Sequence, residues 1–216
     1  MAALPSGDGE RRDFDPLETS LAGGVIGALL FVVLGATAAT SEYASGMIRL
    51  TFAAVPRRGR VLADKAAVVG AIALAAGTLA TVAMFVCGQL LFAGYGLETA
   101  SLADGDALLT VVVSAALTPV LPVLAVALGM AAQHRGCIVG ILAFILVPPF
   151  LAGVLPRWWE EDVLRFHPLE ATDVLVAGHL ERATADLAPG VALLVLAGWV
   201  ALFLGAAWAV LERRDP

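Results

Sequence analysis

Five long runs without a charged residue constrain the fold of this chain more than any other feature. They lie at residues 19–40, 66–94, 107–131, 137–156 and 188–211. Each reaches the roughly 20 residues that an α-helix needs to cross a bilayer. The apolar residues are continuous and do not alternate with period two, so they favour helices over a barrel. The sequence therefore predicts an all-α, polytopic membrane protein with five transmembrane helices.

The composition of the chain supports this class. Hydrophobic residues make up 60% of the sequence and charged residues only 15%, whereas a soluble domain is about a quarter charged. The third run contains Pro119 and Pro122, which remove backbone donors and predict a kink within the membrane. The fourth run contains Pro148 and Pro149 near its end, close to an interface.

The distribution of charge orients the spans. One set of alternate connectors carries eight Lys and Arg and four acidic residues: 41–65, 132–136 and 212–216. The other set carries five Arg and fifteen acidic residues: 1–18, 95–106 and 157–187. Basic connectors stay in the cytoplasm, so we expect a cytoplasmic loop at 41–65 and a cytoplasmic tail at 212–216. The same orientation predicts that residues 1–18 are an extracellular N-terminal segment and that residues 157–187 are an outer loop.

The N-terminal segment is unusual for an extracellular start. It has no basic region followed by an apolar core, so it is not a signal sequence. It resembles an outer loop between two spans. We therefore expect that a preceding transmembrane helix is absent from this chain.

The outer loop 157–187 is too polar to cross the membrane. Trp158 and Trp159 suit the membrane interface, and we expect short helices that lie on the outer surface. The stretch HPLEATD, residues 167–173, contains groups used in metal or acid–base sites, but we expect these side chains to be solvated.

The cytoplasmic loop 41–65 concentrates basic residues between two uncharged runs. On a helix over 42–55, Glu42, Gly46, Arg49 and Ala53 would share one narrow face, and apolar residues would cover most of the rest. Pro56 would end this helix, and residues 57–60 would form a basic turn. The pattern fits an interfacial helix that meets anionic lipid. The same pattern fits a docking element for a cytoplasmic partner equally well.

The sequence lacks the motifs that are typical of several functional classes. The chain has no G-x-x-x-x-G-K-[ST] phosphate loop, no H-E-x-x-H and no C-x-x-C. His134, His167 and His179 fall on opposite predicted sides, which disfavours a shared metal site. The five runs hold no Asp, Glu, Lys or Arg, although ion-coupled carriers generally need an ionisable group at depth. The net charge of −6 disfavours nucleic acid as a partner. We therefore predict no catalytic residue, no bound metal and no enzyme activity.

The loop also resembles a known family. An acidic residue followed by Gly, Arg, Pro, Arg and Lys after a span resembles the cytoplasmic loop of ABC type-2 permeases, especially small actinobacterial ones. The matching residues are Glu42, Gly46, Arg49, Pro56, Arg57, Arg60 and Lys65. Residues 14–30 resemble the outer loop and second span of these permeases, and residues 187–216 resemble their last span and basic tail.

The resemblance implies a membrane-spanning subunit of an exporter in the bacterial plasma membrane. Two permease chains, identical or different, would pair above two separate subunits that bind and hydrolyse ATP. The helix around 42–55 would rest on the ATPase through Glu42 and Arg49, while Arg57, Arg58 and Arg60 would lie near lipid headgroups. The family pattern has six spans and a cytoplasmic N-terminus, whereas this chain offers five spans.

Two other functions are compatible with the sequence. A membrane anchor or accessory protein without transport activity would use the same basic helix to bind a partner or anionic lipid. A secondary carrier is disfavoured by the uncharged runs. The residues select no substrate, and substrate-binding residues are left unassigned.

Overall fold

The computed structural model describes residues 15–213 except 56, 135, 152–153, 157 and 178–187. These residues form helices, turns and loops, and no strand occurs among them. The α-helices are α1 (Pro16–Leu21), α2 (Gly24–Ser45), α3 (Ile48–Ala54), α4 (Arg58–Gly94), α5 (Gly105–Leu117), α6 (Val120–Ala132), α7 (Cys137–Phe150), α8 (Pro168–Ala177) and α9 (Pro189–Arg213). A π-helical turn, Trp159–Val163, and a 3₁₀ turn, Leu164–Phe166, precede α8.

The all-helical membrane class is confirmed. Within the described part of the chain, four segments are long and apolar enough to cross a bilayer: Pro16–Ser45, Arg58–Gly94, Gly105–Ala132 and Pro189–Arg213. The fourth predicted run, 137–156, forms the shorter helix α7 of 14 residues. The count of five spans therefore stays a prediction. The sides of the membrane assigned to the connectors stay predictions too, and most of the N-terminal segment 1–18 lies outside the described residues.

The helix of the third run is interrupted at Pro119, as predicted, whereas Pro122 lies within the first turn of α6. α5 ends at Leu117, Thr118 and Pro119 form a turn, and α6 begins at Val120. Pro119 lacks the backbone N–H that a continuous helix would use at this point.

The prediction of a basic turn over 57–60 is wrong. α4 begins at Arg58 and continues to Gly94 without interruption. Its first turns bury Val61 and Leu62 in the core, and Gly59 lies against the indole ring of Trp208. Burial of these residues favours helix where the charge pattern suggested a loop.

α6 forms the centre of the bundle. It packs against α2, α4, α7 and α9, and most of its residues are buried. Small residues bring α2 close to it: a Cβ at Gly35 would lie 2.4 Å from the carbonyl oxygen of Pro122, and one at Gly129 would lie 2.7 Å from Ala39 Cβ. Such close approach through glycine is typical of helix packing in membranes.

The outer faces of the long helices are apolar and exposed. Leu30 on α2, Leu79 on α4 and Leu194 on α9 are 68%, 73% and 71% exposed. Soluble proteins rarely expose apolar surface on this scale, so these faces are suited to contact with lipid.

Candidate functional site

Glu42 and Lys65 form a partly buried ion pair that joins α2 to α4. Lys65 Nζ donates hydrogen bonds to Glu42 Oε1 at 2.7 Å and to the carbonyl oxygen of Ala38 at 2.9 Å. Thr51 of α3 donates from Oγ1 to the other carboxylate oxygen, Glu42 Oε2, at 3.0 Å. The lysine side chain is only 16% exposed. Three helices therefore meet at one carboxylate, and we call Glu42, Thr51 and Lys65 the loop brace.

Gly46 divides the predicted 42–55 helix, so that prediction is wrong as a continuous helix. α2 extends to Ser45, and Gly46 caps it with φ of +71° while its N–H bonds to the carbonyl oxygen of Tyr43. This left-handed conformation is readily adopted only by glycine. α3 then starts at Ile48 in a new direction, and Glu42 and Arg49 lie on different helices.

α3 presents a mixed surface away from the bundle. Ile48 is buried, whereas Arg49 is exposed and Met47 and Leu50 are 57% and 69% exposed. The chain therefore leaves one arginine and two large apolar side chains uncovered next to the loop brace.

The remaining basic residues of the loop do not join the brace. Arg58 donates from Nη1 to the carbonyl oxygen of Leu211 at 3.1 Å and lies over the ring of Phe52, with 5.3 Å to its centroid. This arginine links the start of α4 to the end of α9. Arg57 is exposed, and Arg60 faces Asp64 at 4.0 Å in an exposed pair.

The structure thus brings together only part of the predicted site. Glu42 and Lys65 meet, Gly46 forms the turn between them, and Arg49 lies on the exposed helix. Pro56 lies outside the described residues. Sequence reasoning missed Thr51, because its contact with Glu42 depends on how Gly46 redirects the chain and no local pattern signals it.

A second feature lies in the other half of the bundle, away from the loop brace. A cavity of about 190 Å³ opens between α2, α4, α5, α6 and α8. Its walls are mainly apolar, and they include Phe31, Met84 and Leu121. Ser114, Thr172 and Asp173 also line it. We call this space the outer cavity, after the predicted outer loop 157–187 that contains α8.

α8 is a short helix within the predicted outer loop, and it packs against α5 and α9. Its position on the outer surface of the membrane stays a prediction. Ala171 and Val174 are buried against Ala192 and Leu196 of α9 and contact Leu117. The sequence does contain a signal for this burial, a short apolar face that alternates with Glu170 and Asp173. Its periodicity does not show which residues cover that face.

His167 fixes the start of α8, and the prediction that it is solvated is wrong. Its ring is 5% exposed. Nε2 lies 3.0 Å from the carbonyl oxygen of Phe144, and the backbone N–H of Leu169 donates to Nδ1 at 3.3 Å. This arrangement requires the neutral tautomer with the proton on Nε2. Burial accordingly lowers the pKa of His167.

Burial also changes the two carboxyl groups of α8. It raises the pKa of Glu170. Burial first, and the charge of Glu170 second, raise the pKa of Asp173 to about 6. The Asp173 side chain is nevertheless exposed, and it lines the open cavity. Among the described residues no group of three or more His, Cys, Asp or Glu is arranged to hold a metal ion.

The fold and these two features define a polytopic helical membrane protein with a braced loop at one end of the bundle and a cavity towards the other. The chain belongs to DUF2705, a family of proteins of unknown function, and the match covers residues 14–216. No curated protein and no solved structure matches the chain.

Proposed function

We propose that this chain is the membrane-spanning permease subunit of an ATP-binding-cassette exporter. It forms the translocation pathway in a bacterial plasma membrane with a second permease chain, and its C-terminus is cytoplasmic. ATP is bound and hydrolysed by a separate subunit, so the chain needs no cofactor and is no enzyme itself. The resemblance of the 41–65 loop to ABC type-2 permeases is the origin of this proposal.

The observation that carries the proposal is the loop brace beside an exposed α3. A partner that pushes on α3 would move Thr51, and this residue is bonded to the same carboxylate as Lys65. Displacement would therefore pass to α2 and α4 together. Both helices pack against α6, so a small shift at the loop would be transmitted to the centre of the bundle.

The chemistry of the exposed face suits a protein partner. Met47 and Leu50 would be buried by contact with an ATPase, and Arg49 would pair with an acidic group at the rim. In this scheme Glu42 acts within the brace and positions α3. Gly46 supplies the turn, Pro56 ends the loop segment, and the exposed Arg57 and Arg60 meet lipid headgroups, Arg60 beside its exposed pair with Asp64.

Co-purification tests the proposal directly. The C-terminally tagged chain is extracted gently from native membranes, and its partners are identified by mass spectrometry. We expect a stoichiometric subunit with nucleotide-binding motifs, and we expect Arg49→Glu to reduce its recovery. Arg213→Glu is the matched control, because Arg213 is exposed at the end of α9 outside the loop. Absence of any ATPase would refute the permease assignment, and equal recovery with Arg49→Glu would refute the docking role of Arg49.

A membrane anchor that binds anionic lipid is the second candidate. Exposed Met47 and Leu50 beside Arg49 favour it, because an interfacial helix inserts apolar side chains and keeps its cations at the headgroups. Amide hydrogen exchange of α3 separates the two functions in nanodiscs that contain the chain alone. Protection that appears only with phosphatidylglycerol, and not with phosphatidylcholine, would favour the anchor.

A further inference from the structure

The outer cavity has the size of a small ligand. Its volume is about 190 Å³, somewhat larger than a cavity of about 150 Å³ that accommodates benzene in another protein. Phe31 and Met84 are both on its wall. Aromatic and thioether side chains make favourable contacts with an aromatic ring.

Two polar groups at the cavity lack a partner in the described part of the chain. Asp173 makes no hydrogen bond or ion pair with any described residue. Ser114 Oγ is buried and also has no hydrogen-bond partner there. In contrast, Thr118 and Thr172 at the same cavity donate to backbone carbonyl oxygens of their own helices. Buried polar groups are normally satisfied, so the unpaired hydroxyl of Ser114 indicates room for a ligand. The carboxyl of Asp173 is exposed at the same cavity and is open to an incoming group.

We propose that the outer cavity binds a small arylalkylammonium ion, with its ammonium group on Asp173 and its ring between Phe31 and Met84. A carboxylate in apolar surroundings favours a cation over an anion or a neutral molecule. No described basic side chain competes for it. Ser114 offers a hydroxyl oxygen that can accept a second N–H of the ammonium group.

Part of the α2 wall of the cavity is made of small residues, namely Gly24, Gly27 and Ala28. A Cβ added at Gly24 or Gly27 would meet no atom within 4 Å, and both glycines line the cavity. A large side chain at Gly27 would therefore extend into the space without displacing protein atoms. This offers a steric block that leaves Asp173 unchanged.

Direct binding tests the site without an ATPase. The full chain is reconstituted in phosphatidylcholine nanodiscs, and 2-phenylethylammonium is titrated calorimetrically at pH 7.5 against empty nanodiscs. We expect saturable binding, with an affinity at least about tenfold higher than that of the neutral analogue 2-phenylethanol. Absence of saturable binding, or equal affinity for the two compounds, would overturn the proposal without recourse to any variant.

Two variants and two matched controls locate the site. Asp173→Asn and Gly27→Leu should each weaken the binding of the amine by about tenfold or more. Asp106→Asn removes an exposed carboxyl from the first turn of α5, and Gly198→Leu fills open space on α9. Both controls should bind as the original chain does. Unchanged affinity in Asp173→Asn and Gly27→Leu would place the amine elsewhere and refute the site.

The role of this cavity as a substrate site depends on the proposed function, but the binding itself does not. A chain that binds the amine at Asp173 and co-purifies with no ATPase would retain the site and lose the exporter. A chain that co-purifies with an ATPase and binds no amine would retain the exporter function and lose the amine site.

Discussion

The energetic role of the loop brace can be measured with a double-mutant cycle of Lys65→Met and Glu42→Gln. Lys65 donates two hydrogen bonds, and the one to Glu42 is charge-assisted, a type worth about 1.5–3 kcal/mol. Breaking a fully buried pair costs about 3–5 kcal/mol, because the remaining charge loses its partner. The side chains here are 16% and 30% exposed, so water screens part of this effect. We expect Lys65→Met to lower the free energy of unfolding by about 2–3 kcal/mol.

Glu42→Gln alone should lower the free energy of unfolding by about 1–2 kcal/mol, since a neutral amide oxygen still accepts from Lys65. In the Lys65→Met background the same change removes an unpaired carboxylate and should be close to neutral. The resulting coupling energy is about 1–2 kcal/mol. Equilibrium unfolding in mixed dodecylmaltoside–SDS micelles, followed by tryptophan fluorescence, supplies the four free energies.

Arg60 and Asp64 provide the matched control pair. They are 4.0 Å apart, their side chains are 70% and 68% exposed, and they lie on the same helix as Lys65. An exposed pair of this kind should show a coupling within about 0.5 kcal/mol of zero. If Glu42 and Lys65 gave a coupling equally small, the brace would be a surface contact and could not transmit a displacement of α3.

Three further outcomes follow from the packing and the titrating groups. Gly35→Ala should destabilise the chain by about 1–3 kcal/mol in the same assay, because the new methyl group meets the carbonyl oxygen of Pro122, whereas Gly27→Ala should be tolerated. Because burial lowers the pKa of His167, the unfolded chain binds more protons below about pH 6.5, so stability should fall on acidification, and His167→Gln should remove that part of the pH dependence. Since the pKa of Asp173 is about 6, 2-phenylethylammonium should bind about tenfold more weakly at pH 5 than at pH 7.5, and Asp173→Asn should show no such change.

Titration of Asp173, and not of its neighbours, should set the pH dependence of amine binding. Glu170 on the same helix raises its pKa, and His167 precedes the helix as a neutral, buried ring. On the packed elements, Arg165 pairs with Asp162, Asp106 lies in the first turn of α5, and Glu212 and Arg213 lie at the far end of α9. Glu170→Gln should therefore lower the pH at which binding of the amine is half-maximal.

The positions of the loop brace and the outer cavity suggest how one end of the bundle could be coupled to the other. The loop brace joins α2, α3 and α4 at one end, and the outer cavity touches α2 and α4 again further along their length. A displacement at α3 and a ligand at Asp173 would therefore act on the same two helices. Reciprocal effects of the two sites on each other are a thermodynamic requirement wherever such coupling exists.

The sequence by itself determined the class of this protein. Backbone in lipid must be satisfied in helices or closed barrels, and long apolar runs without the alternation of barrel strands favour helices, so the helical membrane fold followed from hydropathy. Pro119 also acted locally, because its missing N–H coincides with the break between α5 and α6. Pro148 and Pro149, in contrast, lie within α7. The same reasoning identified Glu42 and Lys65 as members of one loop, but not as a pair.

Only the tertiary structure decided which side chains meet. A glycine in the left-handed conformation at Gly46 redirects the chain and brings Thr51 to Glu42. α8 reads as a polar outer segment, yet contacts with α5 and α9 draw it into the bundle and place Asp173 at the outer cavity. Hydropathy depends on each residue and its near neighbours, whereas burial and pairing depend on residues far apart in the chain. The bundle therefore created both sites by packing helices whose local patterns do not specify their neighbours.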